Sequence, residues 1–314
     1  MTHRTLRIAT RKSPLAMQQA QFIKESLSKH HPELDIMLIP METTGDKISG
    51  KRLASFGGKG LFVKELEQAL LNHQADLAVH SMKDVPTVQP EGLEISTICE
   101  REDPRDVLIS IKYNNMASLP SGASIGTSSL RRQCQLRALR SDLKIKTLRG
   151  NVNTRLNHLS EGRYDAIVLA AAGIKRLHLE HHIREYFSVQ HLLPAAGQAA
   201  LGIECRREDI ELKTLLQVLS DPVTQACLEA ERALTHQLGG NCQTPIAAFC
   251  EVSEGQLSLR GLVGTPEGDI ILHCHEKGNI EDPETLGTHA GQALLKQGAG
   301  EILKSFVNDS SFHE

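Results

Sequence analysis

Leu6-Arg7-Ile8-Ala9-Thr10, followed by Arg11-Lys12-Ser13-Pro14-Leu15-Ala16, is the junction that decides the fold. The first five residues form a short, largely apolar run of strand length. Ser13 can cap a helix whose first position is Pro14, where a missing N–H does no harm. Ala16, Ala20, Ile23 and Leu27 then recur at helical spacing. Working outward, residues 31–40 alternate apolar and polar and read as a second strand. Phe62, Leu66 and Ala69 mark a helix, and residues 75–80 a further strand. Strand alternating with helix favours a mostly parallel sheet covered on both faces.

Glu102-Asp103-Pro104-Arg105-Asp106 is charged and contains a proline, so an interdomain crossing is expected there. The alternation then restarts. Residues 124–126, 144–148 and 166–170 read as strands, and 130–140 and 152–159 as helices. A second break comes at Leu193-Pro194-Ala195-Ala196-Gly197-Gln198, after which the strand 200–206 is expected to return to the first lobe. Two crossings between two lobes make a hinged cleft. Beyond them Asp221 reads as an N-cap, Pro222 as the first helical residue and Gly239 as the stop. Val223, Ala226, Ala230, Ala233 and Leu234 form that helix's apolar face. Three strand candidates follow, at 245–251, 256–263 and 269–276, and then one helical region over 284–306. The expected division is 1–101 with 198–219, then 102–197, then 220–314. That is two doubly wound α/β lobes and a smaller α+β domain.

The chain has 314 residues, enough to bury a sizeable core without staples. Lys plus Arg is 35 against 38 Asp plus Glu, a net charge of −3, which argues against a generally basic nucleic-acid binder. Aromatics are 3% with no Trp, so a stacking surface for single strands is not expected either. No apolar run approaches the roughly 18 residues of a membrane span. The seven cysteines are odd in number, and no Cys-x-x-Cys occurs among them. With no basic-then-apolar start, the protein is expected in the cytoplasm with reduced thiols.

Three strand-to-helix turns carry one chemistry: Thr10 to Ser13, Gly126 to Arg132, and Leu148 to Arg155. Each offers hydroxyl or amide side chains and free backbone N–H groups at a helix start, a ready anion site. Each adds guanidinium forks that match carboxylate or phosphate. The plainer alternative is that Ser and Thr are caps and the arginines lie on solvated helix faces. Arg11, Arg131, Arg132, Arg149 and Arg155 converging on one cleft demand several negative charges, hence a polyanion. No Gly-x-x-x-x-Gly-Lys-Ser/Thr loop is present, so a nucleotide is not indicated. Asp84, beside Lys83 at a strand end, is a candidate acid/base or cation stabiliser, or an ordinary turn residue before proline. Cys242 lies in a polar loop, Gly239 to Pro245, and is a candidate nucleophile. Cys99, Cys205 and Cys227 read as buried and inert. His178, His181 and His182 have helical spacing but no partner set for a metal, and no metal is expected.

Taken together, Gly57 to Glu67, Val79 to Pro86, Ile98 to Asp106, Gly126 to Gln135, Leu148 to Leu156 and the Cys242 loop resemble the porphobilinogen deaminases, or hydroxymethylbilane synthases. The resemblance runs from about Leu6 to the end of the chain. It implies lobes like those of periplasmic binding proteins, and a dipyrromethane cofactor joined by a thioether to Cys242. The implied activity is the head-to-tail condensation of four porphobilinogen molecules, with loss of ammonia, into hydroxymethylbilane. Carried onto this sequence, Asp84 is the catalytic residue. Ser81, Lys83, Thr127, Ser129, Arg131, Arg132 and Gly173 join Asp84 and Cys242 around the cofactor. Arg11, Ser13, Lys59, Phe62, Arg149 and Arg155 hold substrate. Asn241 stands where the family usually has Gly or another small residue, and Asn tolerates a left-handed backbone. The implied partner is the small molecule porphobilinogen, with no nucleic acid, no membrane and a monomeric chain. The competing reading is a two-lobed cytosolic binding module for a polyanionic small molecule, which has no need of the third domain and its cysteine. Gly45 to Gly60 is rich in glycine and cations. It reads as a mobile lid over the cleft or as a solvated insertion.

Overall fold

The first junction folds as its residues dictate. Ser13 Oγ accepts the Ala16 N–H at 3.3 Å, Pro14 opens the helix, and Ala16, Ala20, Ile23 and Leu27 are buried. The computed structural model describes residues 5–47, 63–241 and 243–307. Its first elements are β1 (Thr5–Arg11), α1 (Pro14–His30), β2 (Asp35–Met41), the single turn α2 (Thr44–Lys47), α3 (Lys64–Leu71), β3 (Leu77–Ser81) and β4 (Leu93–Ile98). Next come β5 (Asp106–Ile109), β6 (Ser124–Gly126), α4 (Leu130–Leu139), β7 (Lys144–Lys146), α5 (Val152–Ser160), β8 (Ala166–Ala170), α6 (Ala171–Arg176) and β9 (Ile183–Tyr186). Last are β10 (Leu201–Arg206), α7 (Ile210–Leu216), α8 (Pro222–Gln237), β11 (Ile246–Ser253), β12 (Gln256–Gly264), β13 (Ile271–Gly278), α9 (Pro283–Lys296) and α10 (Ala299–Val307).

Two five-stranded sheets have the orders β2-β1-β3-β10-β4 and β7-β6-β8-β5-β9. As expected they are mostly parallel, four strands of each running one way, but each is mixed through one reversed strand. The cause is the two crossings. β10 arrives from the second sheet and inserts antiparallel between β3 and β4. β5 arrives from the first and inserts antiparallel between β8 and β9. The pairings β1–β2, β1–β3, β6–β7 and β6–β8 are parallel. Register then fixes where the crossings run. Leu201 opens β10 opposite Ser81, the last residue of β3. Asp106 opens β5 opposite Ala170, the last residue of β8. Both crossings therefore join the carboxyl edges of the two sheets, the edge at which α/β folds bind ligands.

The crossing expected at 102–106 runs between Ile98 and Asp106, and Asp106 itself is already strand and fully buried. The second crossing contains a tight turn, with Gly197 at φ +70° and Ala199 at φ +77°. Ala200 N–H donates to Gly197 O at 3.3 Å across it. A Cβ on Gly197 would lie 2.9 Å from the Met82 carbonyl carbon and Cβ and 3.0 Å from Lys83 N. This crossing thus packs directly on the backbone turn Met82–Asp84.

The third unit is the antiparallel sheet β11-β12-β13, with α8 and α9 over the core of Ala230, Leu234, Leu259 and Leu294. Asp221 caps α8 through Thr224 N–H at 3.0 Å, and Pro222 is its first residue. Val223 does not belong to the apolar face as expected; it is exposed, while its neighbour Thr224 is the first-turn residue that faces inward. The region 284–306 is two helices, broken where Gly298 takes φ +103°. Leu228 of α8 packs with Met82, Val85, Ile98 and Ala200 of the first lobe. Phe249 and Leu262 pack with Cys134 of α4 from the second. Between these contacts lies a buried ion pair. Arg101 donates from Nη1 and Nη2 to Glu231 at 2.6 and 3.0 Å, and Glu231 also accepts the N–H groups of Gly197 and Cys250.

Gly197→Ala should cost roughly 1–3 kcal/mol through overpacking against Met82 and Lys83. Gly162→Ala, at φ +75° with nothing within 4 Å, is the control for the backbone term alone. Chemical denaturation of the two variants checks this, and equal midpoints would show that Gly197 does not press on the Met82–Asp84 turn.

Candidate active site

Every anionic-ligand turn identified in the sequence sits at a carboxyl edge. Arg11 ends β1 and Ser13 caps α1. Thr127 follows β6, and Ser129 caps α4 by accepting Arg132 N–H at 3.4 Å. Asn151 caps α5, with Arg149 and Gly150 just before it. Ser81 ends β3 and accepts from Gln19 Nε2 at 2.8 Å. Gly173 lies on α6, where a Cβ would stand 3.5 Å from Leu15 of α1, so this glycine marks the contact between the lobes. Lys59, Phe62 and Cys242 lie outside the described residues, as does most of the segment 45–60. Its first residues, Gly45 to Lys47, belong to α2 rather than to an irregular loop.

The structure brings Lys83, Asp84, Arg131, Arg132 and Arg155 within electrostatic reach of one another. Burial pulls the Lys83 ammonium down to about 8, opposed by Asp84 and reinforced by Arg132. Burial also pulls Arg155 down to about 10, helped by Arg132 and opposed by Asp84. Both side chains keep some surface in solvent, as residues lining a cleft do. Arg155 Nε donates to Gly150 O at 2.7 Å, which aims its guanidinium. Asp84 stands on a turn of three residues. Among the described residues nothing hydrogen-bonds its carboxylate.

Arg131 and Arg132 are less free than a solvated helix face would leave them. They are 4% and 6% exposed, and both pair with Asp106, at 2.9 and 2.7 Å. Arg131 also donates to Leu193 O at 2.6 Å, and Arg132 to Val168 O at 3.1 Å. Burial alone would raise the Asp106 pKa, but the two guanidinium charges hold its carboxyl well below the usual range. Gln198 completes the knot. Its Nε2 donates to Asp106 at 3.0 Å and to Pro104 O at 2.7 Å, and its Oε1 accepts from Arg131 at 3.3 Å. Asp106 and Gln198 were not singled out from the sequence. The available signal was an acid placed directly before the apolar run Val107-Leu108-Ile109. Arg176 was also missed; it reaches across the lobes to Ala199 O at 2.7 Å.

Four cations therefore face two carboxylates, Asp84 and Asp106, an excess of positive charge in a partly desolvated cleft. Such a site favours a ligand bearing several carboxylates. A linear pyrrole chain with an acetate and a propionate on each ring suits this donor set. Asn241 ties down the described residues that flank Cys242. Its Oδ1 accepts Gln243 N–H at 2.8 Å, and Thr244 Oγ1 donates to its carbonyl at 2.7 Å. Asn241 is not left-handed as its tolerance suggested. His178 is, at φ 55°, so the three histidines do not share a regular helix. Cys99, Cys205 and Cys227 are buried, and burial raises the Cys99 thiol to about 12. Among the described residues no helix is long and apolar enough to cross a membrane.

Residues 6–214 match the family described as porphobilinogen deaminase, dipyromethane cofactor binding domain, and residues 225–296 match porphobilinogen deaminase, C-terminal domain. Similar solved structures include a putative methionine-binding lipoprotein from Bacillus subtilis (14% identity, 69% of this chain and 90% of that one, TM-score 0.45). A nutrient binding protein from Burkholderia cenocepacia bound to methionine is similar at 13% identity, over 69% and 92%, with TM-score 0.44. The periplasmic VFT2 domain of Bordetella pertussis BvgS is similar at 15% identity, over 69% and 87%, with TM-score 0.43.

Because its pKa falls on folding, protonated Lys83 costs stability at neutral pH. That cost fades as pH rises from about 8 towards the ordinary 10.5. Competitive labelling with acetic anhydride, read by peptide mass, should give a Lys83 midpoint near 8 in cofactor-free protein. In the loaded protein the midpoint should be higher, because nearby carboxylates favour the ammonium. A midpoint at 10.5 in the cofactor-free form would contradict the burial of this amine.

Proposed function

The chain belongs to the porphobilinogen deaminase family, and on that premise we propose that the cleft around Asp84 is where its chemistry occurs. The enzyme condenses four porphobilinogen molecules head to tail, releasing ammonia, into the linear tetrapyrrole hydroxymethylbilane. The dipyrromethane cofactor supplies a tethered primer with a nucleophilic pyrrole carbon. Cys242 is the proposed attachment point, because it lies in the polar loop that follows α8 and matches the family's cofactor cysteine.

The observation that carries this reading is the Asp84 carboxylate, free of hydrogen bonds among the described residues and within electrostatic reach of Lys83 and Arg155, which Arg132 also faces. Lys83 and the arginines, with Arg11, Arg149, Ser13 and Ser129, bind and orient the acidic side chains of the pyrroles. Thr127, Ser81 and Gly173 shape the wall against which they lie. Asp84 stabilises the positive charge that develops on porphobilinogen as its amine departs. It also accepts, at a carboxylate oxygen, the proton released when the new carbon–carbon bond forms. Binding several carboxylates at once orients each addition before bond formation. The proposed working form is a cytoplasmic monomer acting on a small molecule without nucleic acid. The proposed units are 1–101 with 198–219, 102–197 and 220–314.

Asp84→Asn removes the charge at nearly unchanged shape and should lower turnover on the order of 10²–10³-fold. More than half of normal turnover in this variant would remove Asp84 from the mechanism. Cys242→Ser should fold normally but carry no covalent pyrrole, since an alkoxide is far harder to form than a thiolate. Near-normal porphobilinogen consumption by that variant would place the attachment elsewhere.

A further inference from the structure

Asp84 is held by little of its own. The turn Met82–Asp84 is closed by one backbone hydrogen bond, Val85 N–H to Met82 O at 3.2 Å. Its position must be imposed from outside: Met82 N–H donates to Ala200 O at 3.1 Å, and a two-pronged contact comes from the third unit. Arg232 of α8 donates from Nη1 to Val85 O at 3.2 Å and from Nη2 to Pro86 O at 2.6 Å. These are the first two carbonyls after Asp84. One turn earlier on α8, Leu228 packs under the same turn with Met82 and Val85. The Asp84 turn is thus gripped between an apolar floor and a guanidinium fork.

Arg232 is an expensive choice for a mere spacer. Burial lowers its pKa, and among the described residues no carboxylate pairs with it. Its neighbour Glu231, about 100° away around the helix, points instead at Arg101, Gly197 and Cys250. Successive residues of α8 therefore grip the crossings on one side and the Asp84 turn on the other. The same helix ends at Gln237 and, through Gly239 at φ +63°, leads into the Cys242 loop.

We propose that Arg232 is a positioning residue for Asp84, fixing the carboxylate relative to the unit that carries Cys242 through its two carbonyl hydrogen bonds. This rests on the reading of Asp84 given above. Misplacement of a reacting group by about 1 Å costs on the order of 10² in rate. Arg232→Met in the cofactor-loaded enzyme should accordingly lower kcat by about 10²-fold, with KM for porphobilinogen changed less than about threefold. Arg232→Lys, able to reach one carbonyl, should recover part of kcat. In an Asp84→Asn background, Arg232→Met should cost no more than about a further threefold, because no carboxylate remains to be placed. Equal losses in both backgrounds, or a loss confined to KM, would overturn the inference and leave Arg232 a structural residue. If Arg232→Met does not fold, Arg232→Lys measured in both backgrounds decides by the same criterion. Near-normal turnover of Asp84→Asn alone would instead overturn the reading of Asp84 itself.

Discussion

The Asp106 carboxylate is the interaction on which the arrangement of the cleft depends. It sits at the first residue of a strand that has just crossed between lobes, and it binds two adjacent guanidiniums and an amide from the other crossing. Without it, Arg131 and Arg132 would be two like charges buried side by side, each with backbone carbonyls as its chief remaining partners. Removing one member of such a buried set typically costs 3–5 kcal/mol, because the others are left uncompensated. With it, the pair keeps one net positive charge, held rigidly at a helix start. The hinge and the anion site share these atoms, so occupancy of the cleft and the geometry of the crossings are physically connected.

The third unit contributes constraint rather than surface. α8 lies against both crossings, and its residues reach in two directions, Glu231 to Arg101 and Gly197, Arg232 to Val85 and Pro86. Gly197 in turn lies on Met82 and Lys83. The turn bearing Asp84 is thus enclosed by a crossing, a helix and an apolar floor, none of them local to it in sequence. A carboxylate proposed to face a developing cation benefits from such preorganisation, since nothing has to reorganise as the charge appears.

Much of this was legible in the sequence where the physics is local. Ser13-Pro14 and Asp221-Pro222 announce helix starts because capping involves residues three apart. The anionic-ligand turns were legible because each couples a strand end, a cap and arginines within a few residues. The antiparallel insertion of β10 and β5 was not, because it follows from which sheet the returning chain enters. Asp106 looked like one more charge in a linker, since its cationic and amide partners lie 25 or more residues away. Arg232 reads as an ordinary solvated helix residue until α8 is placed on the first lobe. The break at Gly298 was missed because the apolar spacing continues across it in α10.

The central claim is that this cleft builds a pyrrole chain on a primer held by the protein. The intact mass of the purified chain, before and after brief exposure to porphobilinogen, tests it most directly. The account predicts the polypeptide plus two linked pyrrole units at rest, and then a ladder of single-unit additions ending at four. The bare polypeptide mass, unchanged by porphobilinogen in protein that is otherwise folded, would contradict it.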